Sequence, residues 1–396
     1  MRRARMQSER TFSVEPGDFV LLQNRLGQVF LVVSETEADS LTLYRWAGAD
    51  WETLRIFPGL RVSERKDAVI YAMPSRLCFD DPAHGQLVFF VHASKAEKGA
   101  FGSGYRLLTV DYDGGAAAEV PLPLQGNPPY ISRFPDGDFL LRCGEREVYR
   151  LNGQGACRFH YCHRSWRSTT DEPGALHHAQ ALPDGRAAVF LYTENPGTVE
   201  AMYLDPSGQA MEGASWKSQT MEPPVLHSDE TGFWVGNRML LSPSPPEECF
   251  QKLCFSGDGR LLETRALHLK TKFGVDRTLF TEQGVFLHSL FARAVFWCPF
   301  DGGAPVRYGY PTAGASGARE LCVREDGALA VMSDYTGHSG VFSIFGFLPD
   351  GTADWTIRRT WSFDGNRRME VSGNQLFLAY SSDWGQMTAS VFQLPS

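Results

Sequence analysis

Residues 134 to 155 read FPDGDFLLRCGEREVYRLNGQG, and residues 182 to 209 read LPDGRAAVFLYTENPGTVEAMYLDPSGQ. Each stretch runs through a Pro-Asp-Gly turn, a short apolar run, a polar loop, a second apolar run and a closing turn that ends in Gly. Gly supplies the positive φ of a tight turn, and Asp or Asn hydrogen-bonds its own backbone there. Runs this short, rich in Val, Leu, Phe and Tyr and bounded by turn residues, read as β-strands. The same order of parts twice in succession means that the chain is assembled from one supersecondary unit.

The unit extends well beyond these two stretches. Aligned on the first turn, eight segments recur: RLGQVFLVV, PAHGQLVFFV, PDGDFLLRC, PDGRAAVFLY, DETGFWVG, TEQGVFLHSL, EDGALAVMS and VSGNQLFLAY. Their glycines, Gly27, Gly85, Gly137, Gly185, Gly232, Gly284, Gly327 and Gly373, are 43 to 58 residues apart. A second Gly turn recurs between them, as in DYDGG, LNGQG, FDGG and LPDG. With 39 Gly and 23 Pro interrupting almost every window, no segment sustains helical periodicity, so the chain reads as all-β.

By these repeats the chain resembles the β-propeller superfamily, in the loose style of NHL and Kelch repeats, over nearly its whole length. The resemblance implies four-stranded antiparallel blades packed face to face around a ring, because one twisted sheet cannot bury both of its faces alone. The last unit lacks a fourth strand after QLFLAYSSD and TASVFQLPS, while RTFSVEP at 10 to 16 is a strand without a unit. Pairing the two would close the ring between N- and C-terminal strands. The expectation is eight blades, or seven if the first or last unit is a cap, in a single domain over 10–396 preceded by a flexible segment 1–9.

Composition narrows the function classes. With 43% hydrophobic and 21% charged residues the chain is an ordinary globular one, and its net charge of -8 offers no general attraction for nucleic acid. MRRARMQSER is followed by no continuous apolar stretch, and no run approaches a membrane span, so a cytoplasmic protein with no membrane partner is expected. Eight cysteines are scattered without a C-x-x-C pair, mostly within apolar runs, where a thiol behaves as a small buried hydrophobe.

Chemistry in such a ring belongs to the face where the loops between second and third strands open beside the loops that join blades. Two of those loops, SDYTGHSG (333 to 340) and SSDWGQ (381 to 386), place Ser-Asp-aromatic at the exit of the same strand in neighbouring units. Asp334, Tyr335, His338, Asp383 and Trp384 there can offer carboxylates and ring faces to a polar ligand, a sugar or a peptide. The plainer alternative is that Ser and Asp fold the turns through local hydrogen bonds. Trp166, in the loop 162 to 174, adds an aromatic to that face, and His288 a base at the channel mouth. Arg277, Arg319, Glu320, Arg367 and Arg368 fall on or near inner strands, where converging charge can hold an anion or simply order water.

No metal and no cofactor is expected. His160 and Cys162 share a strand face, but Arg164 follows them and no third ligand is evident. His177 and His178, adjacent on an inner strand, should point to opposite faces. No G-x-x-x-x-G-K-[ST], G-x-S-x-G or H-E-x-x-H occurs. Two functions remain: a non-catalytic recognition scaffold for a protein or peptide, and a propeller hydrolase or lyase acting on a carbohydrate-like or lactone-like small molecule.

Overall fold

The strand Val29–Glu35 shows how the apolar runs are used. Its even residues Phe30 and Val32 join a cluster with Leu87, Phe89 and Phe139, whereas its odd residues Val29, Leu31 and Val33 join another with Phe377 and Val391. A strand that buries both faces reads as continuously apolar, since alternate side chains meet different neighbouring sheets. Further clusters of the same kind join Val148 to Val189, Val295 to Phe345, and Ile344 to Leu376.

The computed structural model describes residues 2–35, 38–61, 78–93, 105–122, 130–144, 146–163, 175–193, 198–219, 225–229, 232–236, 239–240, 247–255, 261–269, 273–289, 292–312, 314–335, 340–361, 367–383 and 385–395. Most of their strands form antiparallel sheets in chain order, and one seven-stranded sheet joins Arg367–Ser372, Gln375–Asp383 and Gln386–Gln393 to Arg5–Gln23, Val29–Glu35, Ser40–Trp46 and Trp51–Pro58. Four-stranded examples are Tyr130–Arg133, Phe139–Cys143, Glu147–Leu151 and Cys157–Cys162; then Ala175–Ala181, Ala187–Thr193, Thr198–Leu204 and Ala210–Gln219; and Ala315–Val323, Leu329–Tyr335, Val341–Phe347 and Ala353–Thr360. The first strands of successive sheets pack on one another, as Phe273–Phe280 does on Ala315–Val323 and that strand on Arg367–Ser372. These sheets therefore run outward from an inner first strand, which is the arrangement of propeller blades.

Each kind of Gly turn has its own task. In the first, Gly137 has φ +92, its N–H reaches the Phe134 carbonyl at 3.0 Å, and the Asp136 carboxylate accepts the Asp138 N–H at 3.0 Å. The second turn packs against the outer strand of the preceding blade. Gly208, at φ +86, lies so close to Phe159 that a Cβ would stand 2.6 Å from the ring, and a Cβ on Gly155 would stand 2.8 Å from Val120.

The strand Arg5–Gln23 belongs to two blades. Its first part, from Arg5 to Ser13, pairs with Gln393 back to Gln386; its second, from Phe19 to Gln23, pairs with Val33 back to Val29. The chain ends are thus hydrogen-bonded to each other, as the orphan strand implied. Pairing begins before residue 10. The Arg2 N–H donates to the Asp354 carbonyl at 2.7 Å, its Nε to Asp354 Oδ1 at 2.6 Å, and Arg5 already pairs with Gln393. Residues of mixed polarity are held there by an edge needing a partner, a requirement their own sequence does not display.

Candidate functional site

Three first strands carry a β-bulge. Ala318 pairs with Ser333 and Glu320 with Met332, so Arg319 is one residue more than its partner strand can accommodate. The same surplus falls on His177, between the pairs Leu176 with Leu191 and His178 with Phe190. It falls on Asp276, between Val275 with Ser289 and Arg277 with His288. Arg277, Arg319, Glu320, Arg367 and Arg368 do lie on first strands.

Asp334, next to last in Leu329–Tyr335, gathers this region. Its Oδ2 accepts the Nε–H of Arg319 and its Oδ1 accepts an Nη1–H of Arg367, an arginine from the neighbouring blade. The Arg367 side chain is 5% exposed, and its guanidinium lies 3.6 Å from the ring centroid of Trp361. Behind this group Arg368 Nη1 donates to Glu320 Oε1 at 3.2 Å, and Glu320 Oε2 accepts the Met369 N–H at 2.6 Å. Burial acts to raise the pKa of Asp334, but the hydrogen bond and charge of Arg367, reinforced by Arg319, outweigh it and hold the carboxyl below its ordinary value. Burial lowers the pKa of Arg367. Asp334 is therefore an ionised hub and is poorly suited to donate a proton.

The remaining candidates are placed as follows. Tyr335 ends its strand, paired with Ala315. Asp383 ends the strand Gln375–Asp383, exposed and opposite Gln386. His338, Trp384 and Trp166 lie outside the described residues. His288 is fully buried, which removes it from the channel-mouth role expected of it. Its Nδ1 accepts the Ala318 N–H at 3.4 Å across the blade junction, and its ring stacks at 5.6 Å on Tyr310. It thus braces the backbone beside the Arg319 bulge.

On the outer strand Cys157–Cys162, His160 stacks on Tyr149 at 4.2 Å, with its Nε2 3.6 Å from Glu147. Cys157 and Cys162 are exposed there, unlike the buried Cys78, Cys143 and Cys298. Burial, with the charge of Glu147, pushes the Cys143 thiol up to about 12, so it is inert at neutral pH. Among the described residues no three His, Cys, Asp or Glu side chains converge as metal ligands, and no helix is long and apolar enough to cross a membrane.

Antiparallel four-stranded blades, joined through their first strands, make the chain a β-propeller. It is similar in fold to the computationally designed Ika8 protein, at 15% identity over 98% of this chain and 100% of that one, with a TM-score of 0.55. It is similar also to apo AztD from Citrobacter koseri, at 13% identity over 86% of each chain, with a TM-score of 0.53. No family model matches the chain, and neither does any curated protein. These likenesses concern the fold alone.

Proposed function

We propose that the chain is a non-catalytic recognition scaffold of eight blades that binds a protein or peptide on its loop-rich face in the cytoplasm. The observation that carries this reading is the junction of Asp334, Arg319, Arg367 and Trp361. It is a pre-organised patch of arginine, carboxylate and aromatic ring, the residue types that anchor interfaces. Eight repeated turn segments support the blade number.

The rival hydrolase or lyase loses support from the same residues. A general acid needs a pKa raised toward neutrality, whereas that of Asp334 is lowered, and His288 has no exposed surface with which to meet a substrate. The test is affinity capture from native extract with the wild type and with the double variant Tyr335→Ala/Trp384→Ala. A partner recovered near stoichiometry by the first and lost by the second is the expected result. A partner held equally by both would remove this face from the interaction.

A further inference from the structure

We propose that Asn152 is a self-modifying site: the turn around it turns its side-chain amide into a carboxylate in the folded chain, with the Gly153 nitrogen as nucleophile and water as co-reactant. This chemistry goes beyond the recognition reading above and does not depend on it.

The fold builds one turn around each of Asn24, Asn152 and Asp205. In all three, Oδ1 accepts the backbone N–H groups two and four positions on: Leu26 and Gln28 at 3.1 and 2.9 Å, Gln154 and Ala156 at 3.0 and 2.8 Å, Ser207 and Gln209 at 2.8 and 2.9 Å. The main-chain carbonyl of each accepts the N–H of the turn glycine, Gly27, Gly155 or Gly208. On Asn152, two N–H donors polarise the amide carbonyl and stabilise the oxyanion that forms at Oδ1 when a nucleophile adds to Cγ. What differs is the next residue, whose nitrogen is that nucleophile. After Asn24 it is Arg25, whose N–H is held by Asp80 Oδ2 at 2.8 Å, and Asn24 itself is 3% exposed. After Asp205 it is Pro206, which has no N–H. After Asn152 it is Gly153, in the one Asn-Gly pair of the chain. Among the described residues nothing accepts the Gly153 N–H, and no atom beyond its chain neighbours lies within 4 Å of where a Cβ would stand. Asn152 and Gly153 are both partly open to water. The Gly153 nitrogen gives its proton to hydroxide and bonds to Asn152 Cγ; the Cγ–Nδ2 bond breaks, and ammonia leaves with a proton from water. Water then adds to Cγ of the five-membered imide, the new Cγ–N bond breaks to restore the Gly153 N–H, and an aspartate remains. Asp205 shows that this turn already accommodates a carboxylate with the same bonds.

The test is to incubate the full-length chain at weakly alkaline pH, folded and in urea, and to follow the conversion of Asn to Asp in its peptides by mass spectrometry. The expected result is conversion of Asn152 no slower in the folded chain than in urea, and in the folded chain about tenfold or more ahead of Asn24. Arg25→Gly separates the turn from its local sequence. It places a second Asn-Gly pair in the same kind of turn, but with the N–H still tied to Asp80. In that variant Asn24 should match Asn152 in urea, and should lag it by about tenfold or more when folded, because a nitrogen that donates to a carboxylate must first give up that bond. Slower conversion of Asn152 in the folded wild type than in urea would overturn the proposal, since the turn would then shield the amide. Equal conversion of Asn24 and Asn152 in folded Arg25→Gly would also overturn it, because the dipeptide and not the turn would then set the rate.

Discussion

One carboxylate, that of Asp334, balances an arginine that the fold has taken almost wholly out of water. Removing its charge takes from Arg367 a close charge partner, and Asp334→Asn should cost about 3–5 kcal/mol in chemical denaturation at pH 7, the magnitude expected for breaking a buried pair. The cost should depend on pH in a fixed direction. The folded-state pKa of Asp334 lies below its unfolded value, so its stabilisation is fully present above that unfolded value and is lost as pH falls through the folded one. The stability gap between wild type and Asp334→Asn should therefore close as pH drops from 5 toward 3; a constant gap would mean that the pair contributes no linkage. Sequence alone marked Asp334, Arg319 and Arg367 as charges near one face. Their union was not legible, because Arg367 lies 33 residues from Asp334 and meets it only through blade packing. Trp361 carried no signal of its own until Arg367 was seen against it.

The two Gly turns were legible because their causes are local: positive φ and Asp or Asn beside Gly are written into a few consecutive residues. What the second turn touches was not. Gly208 and Gly48 share a left-handed backbone, at φ +86 and +88, but a Cβ on Gly208 would strike Phe159 whereas one on Gly48 would meet nothing within 4 Å. Gly48→Ala should cost about 1–2 kcal/mol for its φ alone. Gly208→Ala should cost about 1–3 kcal/mol more, the usual toll of overpacking. Equal losses in urea denaturation would show that the turn yields to the collision. The bulges at His177, Asp276 and Arg319 were likewise hidden, since a surplus residue exists only relative to the register of a partner strand.

Closure of the ring was legible in outline, from a strand without a unit and a unit without a strand; its extent, reaching back to Arg5, was not, because polar residues such as those of RMQSER show no apolar alternation. Thr11 and Thr388 stand opposite each other in that closing pair, with hydroxyls 3.4 Å apart and 377 positions between them in the chain. Thr11→Cys/Thr388→Cys should form a disulfide that raises Tm, by up to about 5 kcal/mol of loop entropy, and the gain should vanish on reduction. An unchanged Tm in the oxidised protein would mean that the ends remain joined in the unfolded ensemble. The shared strand also imposes a schedule on synthesis. The ribosome releases Arg5 to Ser13 long before their partners, Gln386 to Gln393, more than 370 positions further on. For the whole time between, the nascent chain carries a bare strand edge, open to chaperones or to its neighbours on the polysome. A chain that terminates early can never cover that edge.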